Sequence, residues 1–270
     1  MNSLIISFCC SLLISFNFNP LLSLERAFAD QLYAIRSKFT KPDEFPTFVK
    51  PNSTYTLVLV GDSMTQFLGD GSDIKKYLKK YYPKKEINIL NYGIGSTNIL
   101  TVPDGLEKGS IRGNESLFPV MSKNFDVILI ESFGNNPINL PIDEALKKQT
   151  ETLDKITKII RGIKPTSVIV FIATVSPYKL RYAEGVVNLT TEERVSWAKE
   201  RISYIKNHIE YAKSHKIPLI NIYEQSLDEK GDGRADYIDS HDFIHPSPEG
   251  IKLISNGIAE YIFKKRVLPL

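Results

Sequence analysis

Short apolar runs alternate with longer amphipathic segments along the chain from residue 56 onward. The short runs are continuously apolar, which is typical of strands buried on both faces. The longer segments repeat their apolar residues at helical spacing. The pattern predicts five strands, namely Thr56–Val60, Ile87–Tyr92, Phe125–Glu131, Ser167–Ala173 and Pro218–Ile222. The helices predicted around them are Gln66–Tyr82, Ile142–Ile163, Thr191–His215 and Ser247–Lys264.

This order of strands and helices predicts an α/β fold. Continuous apolar strands that alternate with helices form a parallel sheet covered on both faces, so we expect a three-layer α/β/α sandwich with a five-stranded parallel sheet. The length suits one domain, which we assign to residues 53–270. Open sheets of this kind have their ligand sites at the carboxyl ends of the strands.

The N-terminal segment has a different character from the rest of the chain. Residues 1–24 contain no charged residue and are mostly apolar, and Ala27-Phe28-Ala29 offers a small-x-small cleavage pattern. Residues 1–29 are therefore predicted to be a signal peptide or an N-terminal membrane anchor, with a buried N-terminal helix as the alternative. The proline-containing residues 30–52 are predicted to be a linker. We expect an exported protein, secreted or associated with the cell envelope, with membrane association only through this segment.

Charge and cysteine content exclude several kinds of function. The chain has 34 Lys+Arg against 31 Asp+Glu, a net charge of +3 over 270 residues, which argues against a nucleic-acid partner. Its two cysteines, Cys9 and Cys10, both lie in the apolar N-terminal segment. The predicted domain therefore has no disulfide framework and no cysteine nucleophile.

Four polar segments fall where the predicted sheet would have its site. The first strand leads into Gly61-Asp62-Ser63, and the second into the glycine-rich turn Gly93–Asn98. The third leads into Glu131–Pro137, which includes Asn136. Asp242 and His245 precede the last helix, and a carboxylate at this spacing can hold the imidazole Nδ1–H and leave Nε2 for a serine.

This ordered set resembles the blocks of the SGNH (GDSL-type) hydrolase family. Gly61-Asp62-Ser63 resembles the first block, Gly93–Asn98 the second, Gly134-x-Asn136 the third and Asp242-x-x-His245 the last. The resemblance extends over most of the predicted domain. It implies a flavodoxin-like sheet and the hydrolysis of esters or the transfer of acyl groups, by a mechanism that needs no cofactor and no metal ion.

The resemblance also implies roles for single residues. Ser63 would be the nucleophile, His245 its base and Asp242 the carboxylate that orients the imidazole. The oxyanion hole would consist of the Ser63 N–H, the Gly95 N–H and the Asn136 side-chain amide. In the second block, Ser96 is the alternative donor.

The substrate that we expect is a small-molecule or glycan ester, either an O-acetyl glycan or a lipid ester. Two other functions stay open. The same triad would serve an O-acyltransferase that acts on a cell-envelope polysaccharide. The second open function is that of a non-catalytic binding protein with a degenerate site. The residue that favours it is Pro137, which stands where the family usually has an aspartate.

The other histidines and one acidic loop have alternative explanations. His241 is a second candidate base, but Ile238 stands at the offset that Asp242 has from His245. His208 and His215 lie on a charged predicted helix and are expected to be solvated. The loop Asp228–Asp239 has acidic residues at calcium-loop spacing, but Lys230 occupies a ligand position, so a solvated loop is favoured over a calcium site. Calcium binding is the alternative for this loop.

Overall fold

The computed structural model describes residues 46–50 and 52–269, all within one compact unit that spans residues 43–270. The predicted signal peptide or anchor, residues 1–29, lies outside the described residues, as does most of the predicted linker. Val49, near the end of that linker, is buried, and its N–H donates to the Val267 carbonyl at 2.9 Å. None of the helices in the described part of the chain is long and apolar enough to cross a membrane.

Five parallel strands form the central sheet, namely β1 (Thr54–Gly61), β2 (Glu86–Gly93), β5 (Val127–Glu131), β6 (Val168–Ala173) and β7 (Leu219–Asn221). Their spatial order is β2-β1-β5-β6-β7. Both ends of each strand lie within two residues of the predicted ends, and the three-layer α/β/α prediction is confirmed. A small antiparallel pair, β3 (Ser110–Arg112) and β4 (Glu115–Leu117), was not predicted.

The helices are α1 (Ser63–Gln66), α2 (Ser72–Tyr81), α3 (Val102–Glu107), α4 (Ile142–Ile163), α5 (Thr191–Ser214), α6 (Ile222–Gln225) and α7 (Pro248–Lys264). The prediction of one helix over Gln66–Tyr82 was wrong, because the chain breaks between α1 and α2. Gly69 and Gly71 have φ values of 59° and 73°, which favour glycine. A Cβ on Gly71 would also lie 2.5 Å from Ile89 Cγ2, so the turn packs tightly against β2.

Alternation along the strands divides most of the core into two large clusters, one on each face of the sheet. Leu57 and Leu59 of β1 belong to one cluster, and Val58 and Val60 to the other. Helices α2 and α7 contribute to the first cluster, and α3, α4 and α5 to the second. Every residue of β5 and β6 is buried, which explains why these strands are continuously apolar in sequence.

Strand order determines where a site can form. The chain runs from β1 outward to β2 and then returns to β5 on the other side of β1. The loops that follow the adjacent strands β1 and β5 therefore lead in opposite directions. Such a position is a topological switch point, where open α/β sheets have their ligand crevice. Three of the four polar segments identified in the sequence follow β1, β2 and β5.

His208 is buried, so the prediction that it is solvated was wrong. Its side chain is fully inaccessible, and its ring stacks on Phe171 with centroids 4.3 Å apart. Neither ring nitrogen has a hydrogen-bond partner within the described chain. Burial lowers the pKa of His208 to about 3. His215, at the end of the same helix, is exposed as predicted.

The buried His208 predicts a specific loss of stability in acid. An unfolded histidine binds a proton below a pKa of ~6.5, whereas folded His208 remains neutral down to about pH 3. The free energy of unfolding should therefore fall as the pH drops from 6.5 toward 3, by up to about 1.4 kcal/mol per pH unit from this group. In His208→Phe, urea unfolding at a series of pH values should give a correspondingly flatter dependence. Ile209→Val, on the same helix, is the control that should lower stability without changing the slope, and an unchanged slope in His208→Phe would contradict the prediction.

Candidate active site

Ser63 is the first residue of α1, directly after a sharp turn at the end of β1. Asp62 caps this helix, and its Oδ1 accepts the Met64 N–H at 2.8 Å. The turn brings α1 against the end of β2, where a Cβ on Gly93 would lie 2.3 Å from the Gln66 backbone nitrogen. A glycine is therefore required at position 93 for the helix to approach so closely. The serine is partly exposed, while Asp62 is fully buried.

A second carboxyl group, that of Glu131, lies against Asp62. The Asp62 N–H points to Glu131 Oε2 at 3.4 Å, and the Ser132 hydroxyl donates to Oε1 at 2.8 Å. Burial, followed by the negative charge of Asp62, raises the pKa of Glu131 well above its usual range. Burial also raises the pKa of Asp62, but hydrogen bonds from Met64 and Asn136 oppose that shift. Of these two buried acids, Glu131 therefore takes up a proton more readily than Asp62.

Asn136 reaches the serine turn through its side chain. Its Nδ2 donates to Asp62 Oδ2 at 2.9 Å. The neighbouring Asn135 points elsewhere, because its Oδ1 accepts the Tyr182 hydroxyl at 3.1 Å. Of the two adjacent amides, only Asn136 is bonded to the residue that caps α1.

Gly95 lies beside Ser63, and its N–H has a partner within the protein. A Cβ on Gly95 would stand 3.6 Å from Ser63 Cβ. The Gly95 N–H donates to Gln66 Oε1 at 2.6 Å, and Gln66 is exposed. The alternative donor Ser96 is exposed and has a φ of 60°. Any oxyanion contact from Gly95 requires the Gln66 side chain to move away.

Asp242 and His245 form the hydrogen-bonded pair that their spacing predicts. His245 Nδ1 lies 2.6 Å from Asp242 Oδ2, while Asp242 Oδ1 accepts the N–H groups of Ile244 and His245 at 2.8 and 3.0 Å. Burial by itself raises the pKa of Asp242, but these hydrogen bonds outweigh it, so the pKa lies below its usual value. An ionised Asp242 keeps the proton on Nδ1 and leaves Nε2 as the free base.

Phe67 connects this pair to the serine helix. Its ring stacks on His245 with centroids 4.1 Å apart and planes 8° from parallel. The segment Asp62–Phe67 thus contacts all three other polar segments, through Asp62 to Asn136, Gln66 to Gly95 and Phe67 to His245. Within the described chain no hydrogen bond joins the Ser63 hydroxyl to His245, and such contacts commonly form only when substrate is bound.

Three of the six non-glycine residues with positive φ in the described part of the chain lie in the loops of this site. Ser96, Phe133 and Phe243 adopt φ values of 60°, 53° and 53° although none is glycine. Each lies within three residues of Gly95, Asn136 or Asp242. Non-glycine residues in this region cost energy and persist where the surrounding structure requires a particular geometry.

The remaining sequence candidates lie outside this cluster. His241 does have a carboxylate partner, Asp239 at 2.7 Å, but its side chain is 92% exposed. In the loop Asp228–Asp239 the carboxylates accept hydrogen bonds from the protein instead of converging, as Asp228 does from the Lys230 and Asp232 N–H groups. Among the described residues no group of three or more potential metal ligands was found.

A small apolar cavity of about 20 Å³ adjoins the site. Its walls come from the ends of β1, β2 and β5 and from α3, and they include Val60, Ile94, Leu106 and Phe133. Gly61, two residues before Ser63, also lines it. The cavity is about the size of one water molecule.

Three residues of the site had no predicted role. Glu131 was recognised only as the end of a strand and the start of a polar segment, and Gln66 and Phe67 only as residues of a predicted helix. A charged residue closing an apolar strand (FDVILIE) is a signal that could have identified Glu131. Phe67 and Gln66 act through contacts with residues far away in sequence, for which a single sequence carries no signal.

Comparison with known proteins places the chain in a family. The family model described as GDSL-like lipase/acylhydrolase matches residues 57–258. No curated protein matches the chain significantly. Among solved structures, a lipase/acylhydrolase from Enterococcus faecalis is 18% identical with a TM-score of 0.55, covering 80% of this chain and 98% of that one.

Two further structures have the same fold. A lipase from a goat rumen metagenome is 17% identical with a TM-score of 0.55, covering 77% of this chain and 98% of that chain. An acetyl-xylooligosaccharide esterase from Geobacillus is 16% identical with a TM-score of 0.52, covering 77% and 94%. Since the family model covers well over half of its length, this chain belongs to the GDSL-like lipase/acylhydrolase family of ester-hydrolysing enzymes.

Proposed function

We propose that this protein is a serine esterase that hydrolyses carboxylic esters through an acyl-enzyme intermediate. Ser63 is the nucleophile, His245 takes its proton, and Asp242 holds the imidazole and stabilises the imidazolium. The observation that carries the proposal is the segment Asp62–Phe67, which touches the segments of Gly95, Asn136 and His245 simultaneously.

The chemistry follows in two steps. Ser63 Oγ attacks the ester carbonyl as its proton passes to His245 Nε2, and the leaving alcohol then takes that proton. Water, deprotonated by the same nitrogen, attacks the acyl-enzyme. The bond from Ser63 Oγ to the acyl carbon then breaks, Oγ takes the proton back from His245 Nε2, and the acid is released. The oxyanion formed in each step would accept hydrogen bonds from the Ser63 N–H, the Asn136 amide and the Gly95 N–H, the last after the exposed Gln66 side chain has moved away.

For the substrate, we propose an ester with a short acyl group, either on an O-acetylated glycan or in a lipid ester. The acetyl-xylooligosaccharide esterase noted above acts, by its description, on an acetylated sugar. We also propose export, because of the apolar segment and cleavage pattern in residues 1–29.

The direct test of the nucleophile is labelling by a fluorophosphonate probe, with the modified peptide identified by mass spectrometry. We expect a single adduct on Ser63 and release of p-nitrophenol from p-nitrophenyl acetate in the same preparation. Comparison with p-nitrophenyl octanoate tests the proposed acyl preference, which predicts faster turnover of the acetate. Labelling at another residue, or no turnover, would contradict the proposal.

Replacement of Asn136 by alanine should lower kcat by roughly 100- to 1,000-fold, the usual effect of losing one oxyanion donor. The fold should persist, because the Asn136 side chain is only partly buried. Asn135→Ala is the matched control, because Asn135 is the adjacent amide and is hydrogen-bonded to Tyr182. Its kcat should stay within about threefold of the wild-type value. A near-wild-type rate in Asn136→Ala, or a greater loss in Asn135→Ala, would argue against Asn136 as the donor.

A further inference from the structure

Glu131 is a buried acid for which the esterase chemistry has no direct use. It is 3% exposed at the end of β5, and its two carboxyl oxygens face the Asp62 N–H and the Ser132 hydroxyl. Burying a carboxyl group is costly unless the surrounding structure holds it in hydrogen bonds. Both groups that it faces lie in the loops that carry Ser63 and Asn136.

Asp62 connects Glu131 to the proposed oxyanion donor. Its Oδ1 is occupied by the Met64 N–H, and its Oδ2 accepts Asn136 Nδ2 at 2.9 Å. A carboxylate oxygen only accepts hydrogen bonds, so Asn136 must turn its NH₂, and not its carbonyl oxygen, toward Asp62. The second N–H of that group then remains free to point away from Asp62.

The amide orientation depends on whether Asp62 carries a proton. Burial and the charge of Asp62 raise the pKa of Glu131 well above its usual range, so of the two acids Glu131 takes up a proton more readily. If Asp62 carried the proton instead, its hydroxyl could donate to the Asn136 carbonyl oxygen, and the amide could flip. That flip would point an oxygen at the developing oxyanion.

We propose that Glu131 is a positioning residue that, through Asp62, holds the Asn136 amide with an N–H directed at the oxyanion formed on Ser63. This inference rests on the proposed esterase function and adds to it a residue outside the four sequence blocks. Glu131 touches no substrate atom and takes no proton from the reacting groups. Its effect is on the orientation of one donor.

The test compares substitutions at Glu131 in wild-type and Asn136→Ala backgrounds. Glu131→Gln has nearly the same shape and keeps an oxygen that can accept the Asp62 N–H, so kcat for p-nitrophenyl acetate should stay within about threefold. Glu131→Leu should lower kcat about 10- to 100-fold with KM nearly unchanged, less than full loss of a donor because the amide can still reach the correct orientation. In Asn136→Ala, adding Glu131→Leu should cost less than about threefold, because no amide remains to be oriented.

Folding is checked by unfolding midpoints, and only variants that are folded at the assay temperature are compared. If Glu131→Leu does not fold, Asp62→Asn replaces it, because an amide at position 62 no longer requires a donor from Asn136. Asp62→Asn should lower kcat as much as Glu131→Leu would, and it should cost less than about threefold when it is added to Asn136→Ala.

Three results would overturn the inference. These are an unchanged kcat in Glu131→Leu, a loss that appears in KM alone, or single-variant losses that multiply in the double variant. Labelling of Ser63 by the fluorophosphonate probe is scored separately in the wild type. Multiplying losses with Ser63 labelled would reject only the role of Glu131, whereas absence of labelling and turnover would reject the esterase function and this inference together.

Discussion

Replacement of Ser63 by alanine is expected to lower kcat for ester hydrolysis by roughly 10⁴- to 10⁶-fold, the range seen when the nucleophile of a serine triad is removed. Alanine keeps the backbone N–H and the α1 turn, so Asp62, Gln66 and Phe67 should keep their contacts. The change therefore removes the attacking oxygen and little else. Fluorophosphonate labelling should disappear with the activity.

The matched control for this variant is Ser72→Ala. Ser72 is also the first residue of a helix that follows a tight turn, but it is exposed and lies on α2. Its kcat should equal that of the wild type within about twofold, and labelling should be intact. Persistent labelling or turnover in Ser63→Ala would show that another group is the nucleophile.

The second large effect is expected for Asp242→Asn, which should lower kcat by roughly 10⁴-fold. An asparagine can still accept the Ile244 and His245 N–H groups through its oxygen, so the loop should keep its shape. Its NH₂ would then face His245 Nδ1 and donate to it. This forces the proton onto Nε2, the nitrogen that must accept the Ser63 proton.

Asp239→Asn is the control for the role of this hydrogen bond. Asp239 lies 2.7 Å from the ring of His241 on the same loop, so it reproduces the pairing outside the site. The kcat of Asp239→Asn, measured with the same ester, should stay within about threefold of the wild-type value. Equal losses in the two variants would mean that the loop as a whole is disturbed, and a larger loss in Asp239→Asn would assign the base to His241.

The core of the fold could be predicted because its signals are local. The strands that form the central sheet were recognisable as apolar runs, most clearly β5 and β6, because burial on both faces favours apolar residues at successive positions. The helix break at Gly69 and Gly71 was missed, because an isolated glycine in an amphipathic pattern is also tolerated within a helix. The environment of His208 was missed for a similar reason, since the charged residues around α5 concealed which face packs on Phe171.

For the site, the sequence by itself determined the order and spacing of the polar segments. The Asp242–His245 pair could be anticipated because three residues of loop suffice to form it, and the capping of α1 by Asp62 is a local hydrogen bond too. Residue type was also sufficient to exclude a cysteine nucleophile from the domain. These features depend on neighbours within a few residues.

Only the tertiary structure decided which distant groups meet. The stack of Phe67 on His245, the Gln66 oxygen on the Gly95 N–H and the bond between Asn136 and Asp62 each join segments that follow different strands. Glu131 acquires its shifted pKa only when the fold buries it beside Asp62. Desolvation and close packing depend on the whole assembly of strands and helices, so their effects on these residues could not be derived from the order of residues alone.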